Sequence, residues 1–401
     1  MILNETPIRT SKNFLANEIE LKDFEVPQNI DKFLNRTIYI NSEKKTLLVS
    51  ESIEDSERLN DLYEDGKILV SEITKDDFKV KYGVGKELTS ISKEKVNQPL
   101  RILAKEDSNN SQVNIEFLFD EENNNLQDNI EIYAEKNSSI NVVINYIPKA
   151  INDEFSEAHA NINDGENVPL KSIKDSNEIY YHNGIIKVCA LENSDVNITI
   201  INLLNNSSNN FISMENKLLE NAKLNYTIVD FGGKNSITNY YSNLYGKYAD
   251  NSLNTIYLGN EEQNFDLNYI AHCVGQKTNV NIEVQGALND TATKHFKGTI
   301  DFKKGCKKAI GNENENCLLL SDKAKSLALP MLLCSEEDVE GNHSSSSGRA
   351  DAKELFYLMS RGFSEKDAMK LLVRARFNKI LENIFDTELK LLILSEIESK
   401  L

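Results

Sequence analysis

The sequence has no tryptophan, no apolar run approaching the roughly eighteen residues that cross a bilayer, and too few basic residues to balance its acids. Forty-five lysines and arginines stand against 63 aspartates and glutamates, for a formal net charge of −18. Such a surface repels phosphate backbones and anionic lipid, which argues against nucleic acid and membrane and in favour of a protein partner or a cation. The N-terminal stretch MILNETPIRTSKNF lacks the basic-then-apolar layout of a secretory leader, so the cytoplasm is the expected compartment. Five cysteines, at 189, 273, 306, 317 and 334, form no CxxC pair and are odd in number. Reduced thiols fit that pattern better than a disulfide framework. A phosphate-binding GxxxxGK[ST] loop is also missing. The nearest approach, Gly83-Val84-Gly85-Lys86, lacks the upstream glycine and the following Ser or Thr, and reads as a turn.

What is present changes character along the chain. Residues 1–100 mix short apolar runs with charged stretches and predict a small α+β region, with strands near 37–41, 46–50 and 67–72. From about 101 to 345 the chain becomes β-rich and self-similar. The segments beginning at Ala134, Ala190, Leu219 and Val274 each run from a polar turn into an alternating strand. Aligned on an asparagine within the strand, Asn141, Asn197, Asn225, Asn254 and Asn281 give a period of about 28 residues, with one unit hidden in the polar stretch 152–177. A fixed period of this size, without helical periodicity between the strands, predicts a β-helix whose alternate apolar residues stack inward. A β-sandwich is the competing architecture, because short strands at regular spacing suit it too. The asparagines suit either a stacked ladder or a plain excess of Asn.

A β-helix leaves open coil ends that invite association unless they are covered. The last strands, near 317–320 and 329–334, close it, and a C-terminal helical domain over 346–401 follows. Asp351 with Glu354 has the form of a capping box, Gly362 ends that helix, and Ser364 with Asp367 opens a second. A third is expected near 386–400. Leu355, Leu358 and Met359, then Ala368, Leu371, Leu372 and Ala375, recur at helical spacing, which favours a core face for the first three over an interface.

The octet LFYLMSRG from Leu355 to Gly362 resembles the C-terminal signature of the SufB/SufD family of iron–sulfur cluster assembly proteins. So do His272-Cys-Val-Gly275, the motif from Gly286 to Asp290, Phe296-Lys-Gly298, the run from Leu318 to Ala324, Pro330, and Asp338-Val339 ahead of a histidine, in the family's order over about 105–401. The resemblance implies a mainly β fold: a right-handed parallel β-helix with a small N-terminal region and a C-terminal helical domain. It also implies a non-enzymatic role. Such chains pair through their β-helices with a SufB-like paralogue or with themselves, dock a SufC-type ATPase through the C-terminal helices, and receive sulfur indirectly from a cysteine desulfurase system. A transient iron–sulfur cluster forms at the subunit interface, with none tightly bound to the isolated chain.

The resemblance places a SufB-like cysteine at Cys317 and a SufD-like histidine at His343, so that this chain carries both. Soft thiolate and neutral imidazole are apt ligands for iron and sulfide. Against these roles, a free cysteine is often a small buried hydrophobe, and His343 is placed in a serine-rich, solvent-exposed loop. Glu340 adds a possible carboxylate ligand. The other four cysteines, His272 and His295 read as structural. Leu355, Phe356, Tyr357, Arg361, Leu371 and Leu372 form the candidate partner-binding surface, although Arg361 and Gly362 also suit a plain helix end. Two further functions compete: a β-helix enzyme acting on polysaccharide, which would need a groove of carboxylates not evident in the repeats, and a purely structural solenoid.

Overall fold

The computed structural model describes the chain except residues 10–16, 23, 28–29, 42, 46–62, 66–67, 72–79 and 161–177. Alternation of apolar and polar residues about a repeating polar turn produces two long sheets facing each other. In each, eight strands run parallel, one from every coil, from Gln98–Ala104 and Ser111–Phe119 to Lys325–Cys334 and Val339–Gly348. The parallel β-solenoid expected from the 28-residue period is therefore the fold, with about eight turns. Val196, Ile198 and Ile200 point inward with the matching residues of neighbouring coils, and the stack forms one continuous apolar interior.

Two kinds of ladder fix the register. At the turns, Asn137, Asn193 and Asn221 adopt left-handed φ of 57°, 59° and 55°, a conformation asparagine tolerates better than most residues. Their amides hydrogen-bond in series, Asn221 to Asn193 and Asn193 to Asn137, each at 3.1 Å. On the outer face, Asn141, Asn197 and Asn225 stand in one row, and Asn225 donates to Asn197 at 2.9 Å. Two details of the repeat alignment are corrected. Ser252 pairs with Asn225 and continues the row, while Asn254 lies opposite Thr227, two residues out of step. Asn141 pairs directly with Asn197, so the two strands belong to adjacent coils and the expected extra unit does not stand between them. A helix, α2, Lys149–Ala160, follows the strand of Asn141.

The two ends differ. Before the first coil, antiparallel strands Arg36–Ile40 and Ile68–Ser71 pair onto the sheets and extend to Glu43–Lys45 and Tyr63–Asp65. Two of the strands expected in the N-terminal region thus appear; the one near 46–50 lies outside the described residues. Helix α1, Lys86–Glu94, follows Gly83 and Gly85. At the other end, among the described residues, no strand pairs beyond Lys325–Cys334 or Val339–Gly348.

Three C-terminal helices follow: α3, Ala352–Ser360; α4, Glu365–Leu381; and α5, Thr387–Lys400. Their caps are those the sequence signalled. Asp351 accepts from the Lys353 amide, Ser364 from Asp367 and Asp386 from Leu389, and Gly362 has φ 99°. Helices α4 and α5 bury Val373, Phe377, Ile380, Leu392, Ile393 and Ile397 against Val143, Ile201, Val229, Ile256 and Leu318 on the outer face of one sheet. The stripe read from the sequence agrees only in part: Ala368 is buried and Leu372 half-buried, but Leu371 and Ala375 are exposed, and α3, expected to present a core face, has no buried residue. Helical periodicity marks an apolar face without saying what covers it.

Candidate functional site

The site lies at the uncovered end of the solenoid. In the strand Ala309–Leu319 the sequence NENENC alternates, so that Glu313, Glu315 and Cys317 share the inward face while Asn312, Asn314 and Asn316 face out. The last strand, Val339–Gly348, stacks on it in register, with Glu313 beside His343, Glu315 beside Ser345 and Cys317 beside Ser347.

His343 therefore does not sit in a loop, nor does Glu340; both belong to a full-length strand. The serine run gave the loop reading because it has no apolar alternation. Its hydroxyls do the work of apolar side chains by tying this strand to its neighbours. Ser344 donates to Asn314 at 2.7 Å, Ser345 to Glu315 at 2.7 Å and Ser346 to Asn316 at 2.6 Å, while Ser347 bonds Ser326 of the facing strand at 2.8 Å. The whole strand is exposed except Val339, which is half-buried, since no further coil covers it.

Cys317, by contrast, is only 3% exposed. It lies beneath the Ser326–Ser347 bridge and hydrogen-bonds with Ser326 and Tyr257. Burial pushes its thiol above the ordinary range, against the pull of the Lys294 ammonium and of those two hydrogen bonds. In this arrangement the thiol is protonated and a poor nucleophile. Tyr257 reaches it from two coils away because Gly286, between them in the same row, has no side chain: a Cβ there would lie 1.8 Å from the Tyr257 ring.

An internal ion pair supports the thiol. Lys294 Nζ donates to Glu315 Oε1 at 2.6 Å with both side chains fully buried, and Tyr257 and Ser345 also donate to this carboxylate. Glu313 is treated differently. It is 2% exposed and neither carboxylate oxygen has a hydrogen-bond partner. Burial, with a smaller contribution from Glu315, raises its pKa to about 8. The carboxylate extends across the interior to Gly298 of the opposite strand, where a Cβ would lie within 2.3 Å of it.

Cys317 and His343 occupy neighbouring strands but not one coordination sphere. His343 is four residues from Ser347, the register partner of Cys317, which separates them by roughly 13 Å along the strand. Among the described residues, no group of three or more His, Cys, Asp and Glu is arranged to hold a metal ion. Glu340, beside Ile310, is three residues further from Ser347 than His343 is and on the opposite face. Of the other candidates, Phe356 and Tyr357 are 74% and 56% exposed, Arg361 and Leu371 are exposed, and Leu355 and Leu372 are half-buried. The Arg361 guanidinium lies 5.2 Å from the centre of the Tyr357 ring. Tyr357 and Leu372 line a groove of about 620 Å³ between α3 and α4. Lys294, Glu313, Glu315 and the Ser326–Ser347 bridge were missed in the sequence. The two glutamates were legible there: alternation two and four residues before Cys317 puts them on its face.

A parallel β-solenoid whose terminal coil is uncovered, with a thiol beneath it and an imidazole upon it, is a scaffold suited to assembly with another chain. Residues 149–376 match the family model described as SUF system FeS cluster assembly, SufBD core domain. The chain belongs to that SufB/SufD family. It is 25% identical over 248 residues to the iron-sulfur cluster assembly protein SufD of Bacillus subtilis, covering 61% of this chain and 56% of that one. It is 32% identical over 183 residues to an iron-sulfur cluster assembly SufBD family protein of Pyrococcus horikoshii, covering 44% and 40%. With the SufD of Escherichia coli it shares 30% over 114 residues, 28% of this chain and 27% of the relative. The chain thus spans about half or less of the length of these relatives. No helix among the described residues is long and apolar enough to cross a membrane.

Proposed function

We propose that the chain is a non-enzymatic subunit of an iron–sulfur cluster assembly scaffold. Its open solenoid end pairs with a SufB-like paralogue or a second copy, and the exposed face of α3 and α4 docks a SufC-type ATPase. The nascent cluster is cargo at the subunit interface, supplied with sulfur indirectly by a cysteine desulfurase system, and Cys317 and His343 are contributed to it from this side. The observation that carries this reading is the uncovered last coil of a SufBD-core solenoid, which presents His343 and roofs Cys317 with a single hydroxyl pair.

The geometry gives the partner a task. While Ser326 and Ser347 are joined, the thiol is shielded, so delivery of sulfur or iron requires the last coil to part. A pull on α3 and α4 is a suitable lever, because the chain passes directly from the last strand through residues 349–351 into α3.

The ATPase half of the proposal is tested at α3. Replacing Phe356 and Tyr357 together by aspartate is expected to leave stability within about 0.5 kcal/mol, since neither side chain is buried. Capture of a co-expressed SufC-type ATPase is expected to fall at least about a hundredfold, on the scale of losing two aromatic anchors of an interface. Undiminished capture by the double variant would remove α3 from the docking surface.

A further inference from the structure

The turns along one edge of the solenoid change chemistry halfway along it. Each left-handed turn residue donates its amide to the turn of the next coil: Asn221 to Lys247, Tyr248 to Gln276, Lys277 to Lys307 and Lys308 to Asp338. Asparagine holds the left-handed place at 137, 193 and 221, and then Tyr248, Lys277 and Lys308 take it over with φ of 63°, 56° and 61°. Asparagine tolerates that conformation, whereas a bulky tyrosine there is an outlier, so the exchange is not made for the sake of the turn. Its effect is on the surface. The protein has a net charge of −18, yet Lys247, Lys277, Lys304, Lys307 and Lys308 all stand exposed on this edge. Among the described residues, none of Lys247, Lys277, Lys304 and Lys308 is in an ion pair; Lys307 stands near Glu336, and Lys303 of the same turn is held by Asp301. Lys247 and Lys277 instead flank the Tyr248 ring, 4.9 and 5.0 Å from its centre, and Lys277 Nζ donates to its hydroxyl at 3.0 Å. That hydrogen bond and the two charges lower the phenol's pKa below the ordinary tyrosine value, which marks a locally positive field. Tyr245 and Tyr248, 49% and 43% exposed, set aromatic faces among the lysines, and exposed aromatics are enriched where chains meet.

We infer that this edge is a docking stripe for an acidic protein segment, which lies extended along the solenoid axis with its carboxylates on the lysines and a neutral residue over Tyr248. A cluster of one sign on a chain dominated by the other steers a complementary partner to that place and repels it elsewhere. Lys247, Gln276 and Lys307 occupy the same place in successive turns. Rungs about 4.8 Å apart therefore put Lys247 and Lys307 about 10 Å apart, the length of three residues of extended chain, so acidic residues at i and i+3 match them. The stripe uses none of the residues assigned above to the paralogue or the ATPase, and it does not rest on the assembly function.

The test uses the full chain and a fluorescent decaglutamate peptide, with binding read by anisotropy at low ionic strength. A protein this acidic repels the probe unless a local basic site overcomes the overall field, so binding is itself diagnostic. Wild type is expected to bind the peptide and to release it as salt is raised. The triple variant Lys247→Glu, Lys277→Glu, Lys308→Glu is expected to weaken binding at least about tenfold, and the same three positions changed to glutamine to weaken it by a smaller factor. Both should keep the far-ultraviolet circular dichroism of wild type, since all three side chains are exposed. Reversal of three exposed lysines elsewhere, Lys323→Glu, Lys353→Glu, Lys366→Glu, gives the same net charge and should bind within about twofold of wild type. No binding by wild type, or equal losses in the two reversed triples, overturns the stripe. An oligothymidylate of the same charge that binds as tightly overturns the choice of a protein segment. Self-association at low salt that the stripe variant abolishes would give the edge to a second copy and likewise overturn it.

Discussion

Replacing Lys294 by methionine is expected to cost about 3–5 kcal/mol at the C-terminal end of the solenoid, the penalty for leaving a fully buried carboxylate without its cation. Among the described residues, Lys294 is the only cation that donates to Glu315; Tyr257 and Ser345 supply neutral hydrogen bonds and cannot balance a charge with no access to water. The damage should be local. Each coil of a solenoid contacts only its neighbours, so a loss inside the seventh coil reaches the eighth and propagates weakly toward the first. Hydrogen exchange is therefore the apt measurement. Protection of amides in the strands from Thr293 to Gly348 should fall by about two to four orders of magnitude, while that of the strands before Leu244 stays near wild type. Replacing Lys294 by methionine and Glu315 by leucine together should restore much of the protection, since an apolar pair of similar volume needs no solvation. A single variant with unchanged exchange would mean that the pair does not hold the terminal coils.

The second large effect is functional. The double variant Cys317→Ala, His343→Ala is expected to lower iron–sulfur enzyme maturation in cells at least about tenfold, the scale on which loss of even supporting groups around a metal acts. Stability should change far less. Cys317→Ala removes one sulfur from a small buried position and leaves the Ser326–Ser347 bridge in place, and His343 is exposed. Each single variant should be impaired too, because the two groups are too far apart in one chain to substitute for one another. Full maturation by the double variant would separate both residues from the cargo.

Much of this was legible in the sequence because it rests on period and punctuation. The 28-residue repeat gave the solenoid, and Asp351, Gly362, Ser364 and Asp386 marked helix boundaries that the structure reproduces closely. The errors have physical causes. Asn254 was aligned on residue type, whereas strand register follows the backbone ladder, in which Ser252 does the same work as asparagine. The 56-residue gap before Asn197 looked like two coils because an inserted segment of suitable length imitates a period. The strand holding His343 looked like a loop because its stability comes from hydroxyl bonds to the previous coil, a pattern invisible to a search for apolar alternation. Lys294 was beyond reach for a deeper reason: a charged residue is read as surface unless its partner, here Glu315 in another strand, is known to be inside.

Whether the uncovered coil is a subunit interface is tested most directly by the mass of the complex purified anaerobically after co-expression with a SufC-type ATPase. The expected particle contains two solenoid chains, this one with a SufB-like paralogue or a second copy, together with the ATPase. A single solenoid chain, free of both partners under those conditions, would contradict the scaffold function.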